Sequence, residues 1–177
     1  MNKPLWLTLV GVLEPELTRA FVLTAAGAIQ QGHTDLHILV QSPGGATVDG
    51  VFLHNFIKSI PVPVTTYNLG HVGSAANLVY LAAADRVVAD TATFMLHRVR
   101  AAPTHDGTVQ AMQALATTIG IDEANTEAIF KRDLRLTPQQ REVFAAADLV
   151  LNAEQALACG LATRIGQFTP GMPFISV

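Results

Sequence analysis

The sequence predicts an α/β fold on a parallel sheet, and one pattern met three times carries that prediction. Residues 5–10, 36–41 and 63–67 are short apolar or β-branched runs, and a segment with helix-forming character follows each of them. Strand, helix, strand, helix, strand, helix is the order a parallel sheet with crossover helices requires. Composition agrees: of 177 residues half are apolar and only 14% charged, which suits one domain with a sizeable core and not a disordered chain.

Residues 5–10 read as a buried first strand. The run from Leu5 to Leu13 could pass for a signal peptide, but Glu14 and Glu16 follow at once and no small-residue cleavage site adjoins it. Residues 14–31 are expected as a helix, with Leu17, Phe21, Ala25 and Ile29 on one face and Gly32 at its end. Residues 36–41 look like a buried parallel strand. Ser42-Pro43-Gly44-Gly45 is a loop, and Thr47 is expected to cap a helix with apolar positions Val48, Val51, Phe52 and Phe56. Pro61 and Pro63 close it, and the third strand runs into Leu69-Gly70-His71-Val72-Gly73-Ser74-Ala75-Ala76-Asn77, a glycine-rich junction before a helical run.

Two strand candidates follow, at 86–89 and 93–97. A long helix is expected from Asp106-Gly107-Thr108 to about Arg132, with Val109, Met112, Leu115, Ala116 and Ile119 as an apolar stripe. Thr137-Pro138-Gln139-Gln140 opens a short helix, and Asn152-Ala153-Glu154-Gln155 is a capping box for another, stopped by Gly160. Residues 161–165 read as a strand and the tail from Gly166 as irregular. With no repeat and no linker, residues 1–177 are assigned to one domain.

Several classes of function are disfavoured. Net charge is −3, and the densest basic stretch is Arg98-Val99-Arg100, so neither nucleic acid nor an anionic membrane is expected as a partner. No apolar run approaches the length of a membrane span. The single cysteine, Cys159, lies in a helical pattern and reads as core, which makes a reducing compartment natural. His33 and His37 have zinc-like spacing but straddle a loop running into a strand, so no metal and no cofactor are expected. His54 reads as a helix-surface residue and His105 as a loop residue.

Three polar residues stand where the pattern asks for apolar ones. Ser74 sits at the glycine-rich junction, His97 ends an apolar strand, and Asp148 interrupts the run from Ala145 to Leu151. Taken singly, each has an ordinary reading as a helix cap, a satisfied rim histidine or a turn former. Together they are the types a serine nucleophile needs: histidine to take its proton and a carboxylate to fix the histidine tautomer. Composition alone does not select these three.

The motif blocks do. Ser42-Pro43-Gly44-Gly45, Gly70-His71-Val72-Gly73-Ser74-Ala75, Met95-Leu96-His97 and Asp148-Leu149-Val150-Leu151-Asn152-Ala153-Glu154-Gln155-Ala156 with Gly160-Leu161 fall in an order that resembles the Clp protease proteolytic subunit family. The resemblance covers about residues 5–165. It implies a Clp/crotonase-like superhelical core of repeated β-β-α and β-α units, with a protruding handle over about residues 98–136. It implies a serine endopeptidase with Ser74, His97 and Asp148 as triad, and the N–H groups of Gly45 and Ala75 as oxyanion hole. It implies peptide or unfolded-protein substrates and a cytoplasmic homo-oligomer built on a seven-membered ring; the family's ATPase unfoldase partner is left open for this chain, with a stand-alone or divergent Clp-like peptidase as the alternative.

The departures from the family pattern are specific. Arg98-Val99 replace the usual Gln-Pro after the histidine, His71 replaces a glutamine in the serine loop, and Ala75-Ala76 replace Met-Gly. Ala146-Ala147 stand where an acid-base pair commonly links two rings, which argues against the double ring. The family's N-terminal helix and axial loops, which meet the ATPase, have no counterpart in the expected elements. Two other readings are a crotonase-like acyl-CoA enzyme, which would not need the serine–histidine pair, and a catalytically silent ring subunit. A serine–lysine pair is a further option, but Lys3, Lys58 and Lys131 have no suitable placement.

Overall fold

Among the described residues, six strands form the expected parallel sheet, and three more form a second sheet beside it. The computed structural model describes residues 3–100, 107–171 and 174–176. Elements run β1 (Pro4–Val10), α1 (Pro15–Gln30), β2 (Asp35–Gln41), α2 (Thr47–Ser59), β3 (Val64–Asn68), β4 (His71–Gly73), α3 (Ala76–Leu81), β5 (Asp85–Val88) and β6 (Thr93–Leu96). Then follow α4 (Val109–Asp133), α5 (Pro138–Ala146), β7 (Leu149–Asn152), α6 (Ala153–Ala158), β8 (Arg164–Ile165) and β9 (Phe174–Ser176). The large sheet has strand order β8-β5-β3-β2-β1-β9, every pair parallel.

The small sheet, β4-β6-β7, grows out of the large one. β3 bends at Leu69-Gly70 and continues as β4, and β5 bends and continues as β6. Bridges Leu13↔Gly45 and Ser42↔Val72 extend the same stepping to the loops after β1 and β2. The glycine-rich segments are therefore the corners at which chain passes from one sheet to the other.

Alternation sets the core. Leu5, Leu7 and Leu9 of β1 and Leu36, Ile38 and Val40 of β2 are buried in one cluster with Phe21 and Ala25 of α1 and Leu53 and Ile57 of α2. All six residues of α3 are buried. Half-buried Trp6 and His37 stack at 4.8 Å between ring centroids, His37 adjoins Tyr67, and Phe168 meets Tyr67 edge-on.

Five expectations need correction. α2 buries Gly50, Leu53, His54 and Ile57, whereas Val48 (60% exposed) and Phe52 (51%) face solvent. Two of the four expected core positions are thus solvent-facing, while Val51 and Phe56 are partly buried and pack against the core, and His54 is a core residue, because a period of 3.6 fits more than one set when both faces of a helix are apolar. Thr47 is the first helical residue, and its N-cap, Ala46, makes no side-chain cap bond. His71–Gly73 is a strand rather than loop, paired with β6. The tail is not irregular throughout, since β9 pairs with β1. His105 lies outside the described residues.

The long helix matches its expected span, with Thr108 accepting a cap bond from the Ala111 N–H at 3.1 Å. Only Thr126, Ile129 and Phe130, near its C-terminal end, are buried. Val109 is 64% exposed and Met112 58%, so the first turns stand off the body. Both later helices open on capping boxes, Thr137 with Gln140 and Asn152 with Gln155.

Candidate active site

The corner after β4 places Ser74, and its geometry is strained. Ser74 has φ 51°, the only positive φ among the described non-glycine residues. Such a conformation is costly for an L-residue and persists only where neighbours over-determine it. They do here. The Ser74 N–H donates to Met95 O at 2.8 Å and the Gly73 N–H to Ser42 O at 2.9 Å. Asn77, fully buried, donates its amide to Ser74 O and to Met95 O, both at 2.9 Å. Asn77 thus ties the serine corner to the strand that ends one residue before His97.

The Ser42-Pro43-Gly44-Gly45 loop closes against this corner. A Cβ on Gly44 would lie 2.5 Å from Ser74 Cβ, and one on Gly45 would lie 2.1 Å from Leu13 O. Their φ values of 103° and 154° add a backbone reason for glycine. The Gly45 N–H and the Ala75 N–H donate no hydrogen bond among the described residues. Ala75 sits at the N-cap of α3, where free N–H groups are expected.

Ser74, Ala75, Gly45 and His97 line one cavity of about 120 Å³, together with Thr47, Val99, Arg100, Thr126 and Phe130. Ser74 and His97 are both half-buried. Asp148 does not line it. Among the described residues no hydrogen bond joins Ser74 to His97, or His97 to Asp148. His97 Nδ1 contacts the carbonyl of Arg98, and the Asp148 carboxylate pairs with the Arg100 guanidinium. Both members of that pair are largely exposed. The segment after His97 is anchored on α4, where Glu123 accepts from Arg98 Nε at 2.7 Å and from the Val99 N–H at 2.9 Å.

Four of the five residues expected at the site thus share one cavity, and Asp148 is connected to it through Arg100. Sequence reasoning overlooked Arg100 as a neighbour of Asp148, Asn77 as a clamp, and Thr126 and Phe130 as wall residues. Arg98-Val99 stood out as a departure from the family pattern and Arg98-Val99-Arg100 as the densest basic stretch, and those were the available signals. Asn77 had none.

The other described histidines have structural partners. His71 Nδ1 contacts Thr93 Oγ1 at 3.1 Å. His33 Nδ1 contacts Lys3 O, and His37 contacts Tyr67 Oη and Asp35. His54 Nδ1 contacts Leu78 O at 2.7 Å and its Nε2 meets Arg132 at 3.0 Å. Burial, first of all, pushes the His54 imidazole below its usual value. Burial raises the Cys159 thiol, which sits in the core as expected. No described helix is long and apolar enough to cross a membrane.

Comparison with known proteins bears on the family and the fold. The family model described as Clp protease matches residues 13–168. The chain is 28% identical over 163 residues to the ATP-dependent Clp protease proteolytic subunit 3 of Rhizobium meliloti, covering 88% of this chain and 80% of that protein. It is 25% identical over 157 residues to the ATP-dependent Clp protease proteolytic subunit of Paracoccus denitrificans, covering 88% and 78%. A solved ClpP1 mutant from Listeria monocytogenes superposes with a TM-score of 0.80 at 19% identity, over 92% of this chain and 91% of that one. At that identity the likeness is one of fold, and the fold is Clp/crotonase-like.

Proposed function

The chain belongs to the Clp protease family, and from that premise we propose that it is a serine endopeptidase with Ser74 as nucleophile, His97 as general base and acid, and Asp148 as the carboxylate that orients His97. The observation that carries this reading is the convergence of Ser74, His97 and the unengaged N–H groups of Gly45 and Ala75 on one cavity. The reaction follows from those groups. His97 takes the Ser74 hydroxyl proton as the oxygen attacks a peptide carbonyl. The two N–H groups hold the oxyanion, each worth a factor of about 10²–10³. His97 then protonates the leaving amine, and water releases the acyl group. For this the His97 ring turns away from the Arg98 carbonyl and Asp148 exchanges Arg100 for His97.

The substrates in this reading are peptides or unfolded chains, reached inside a cytoplasmic homo-oligomeric ring of seven subunits. The second reading is a catalytically silent ring subunit, and the pairing of Asp148 with Arg100 is what favours it. One experiment separates the two. A fluorophosphonate probe should label the wild-type chain and leave Ser74→Ala unlabelled, and Ser74→Ala should lose hydrolysis of a short fluorogenic peptide. Asp148→Asn should cost about 10⁴ in turnover, since the carboxylate fixes the histidine tautomer. A folded wild-type chain that takes no label would decide for the silent subunit.

A further inference from the structure

Arg100 has no role in the hydrolytic scheme, yet it lines the cavity with Ser74 and His97 and holds the carboxylate that the scheme assigns to His97. We propose that Arg100 is a specificity residue that takes a carboxylate of the substrate, and that in doing so it releases Asp148 to His97. This rests on the peptidase reading of the same site.

The wall chemistry points to an anion. Among the described lining residues Arg100 is the one with a fixed charge, Thr47 and Thr126 supply hydroxyls, and no acid is present. The Thr126 hydroxyl is buried and has no hydrogen-bond partner among the described residues. The second arginine of the segment, Arg98, is engaged by Glu123, as is the Val99 N–H. That anchor fixes the backbone from which Arg100 reaches both the cavity and Asp148. The Arg100–Asp148 pair is exposed, 62% and 42% for the two side chains, and exposed ion pairs are weak enough to exchange. A guanidinium binds a carboxylate bidentately, so one carboxylate can replace another in the same geometry.

The carboxylate has two possible sources, an Asp or Glu side chain or the free C-terminus of a short peptide. The test uses the full chain and blocked fluorogenic peptides that differ only as Glu or Gln at one position near the scissile bond, plus one peptide as free acid and as amide. Fluorophosphonate labelling counts the competent serine in parallel. The expected result is that the carboxylate member of one pair is preferred at least tenfold in kcat/KM. The Glu/Gln pair answering places the carboxylate on a side chain, and the acid/amide pair answering places it at the terminus. Arg100→Gln should bring that ratio to about one, raise turnover of the neutral peptide because Asp148 is free, and keep the serine reactive. Arg100→Lys should keep part of the preference. A labelled wild-type chain without preference in either pair overturns the inference and leaves the peptidase reading standing, as does an Arg100→Gln chain that keeps the preference. Absence of both label and cleavage removes the peptidase reading, and the inference with it.

Discussion

Ser74 carries the cost of its position in its own backbone. A φ of 51° strains any residue with a Cβ, so the two small substitutions there should differ. Ser74→Gly is expected to be more stable than Ser74→Ala by about 1 kcal/mol in urea unfolding, with both variants inactive. Equal midpoints and slopes would mean that the corner relaxes and is not held. The motif made Ser74 and His97 legible because each sits at the end of a short strand with a recognisable block around it. Gly44 and Gly45 were legible for the same reason, and the space left for a Cβ now explains them. The Arg100–Asp148 contact was not legible, since it joins side chains 48 residues apart and depends on how α4 anchors the segment between them.

Elements were read best where local chemistry decides them. The cap at Thr108 and the boxes at Thr137 and Asn152 mark their helices without tertiary help. β4 and β9 have only three residues each, and their pairing depends on distant strands, so no local pattern announces them. α2 was placed correctly, but its core face is rotated so that Val48 and Phe52 face solvent while Val51 and Phe56 still pack inward, and that rotation hid His54. That histidine joins three helices: its Nδ1–H donates to Leu78 O of α3, and its Nε2 accepts from Arg132 of α4. Protonation would set an imidazolium against the guanidinium. Lys58 adds like charge, and Asp133, itself paired with Arg132, opposes it. The folded pKa is lowered, so the unfolded chain binds more protons at mild acid. His54 therefore contributes stability that is complete above about pH 6.5 and is lost as pH falls to its folded value. Urea titrations from pH 7.5 to 5 should show this loss in the wild type and a smaller one in His54→Gln. A slope that is the same in both chains would assign the effect elsewhere.

At the scale of the molecule, the described surface is more apolar than one chain in water favours. Leu23, Val48 and Phe52 on α1 and α2 and Val109, Met112 and Ile121 on α4 are all more than half exposed. Covering such faces against copies of the chain would remove apolar area at about 25 cal/mol per Å². Light scattering should therefore give a multiple of the 18.8 kDa chain mass. Seven copies would fit a single ring, which the alanines at 146 and 147 favour, and fourteen would show that α4 suffices to stack two. Phe52→Glu with Leu23→Glu should lower the mass, and a wild-type monomer would defeat the expectation. The pairing of β9 with β1 has a consequence in time rather than in space. Thr8 and Ser176 hydrogen-bond across 168 residues of chain, so one side of the second-to-last strand of the sheet is closed by a segment synthesised long after it. Contacts of such long range form late, because the loop entropy is lost before the pairing rewards it. During synthesis β1 and β2 can align while the outer side of β1 still awaits its neighbour, an open edge of the kind on which chains aggregate. Pulsed hydrogen exchange during refolding should protect the β1–β2 ladder before β9. Simultaneous protection of all three strands would mean that β9 belongs to the folding nucleus.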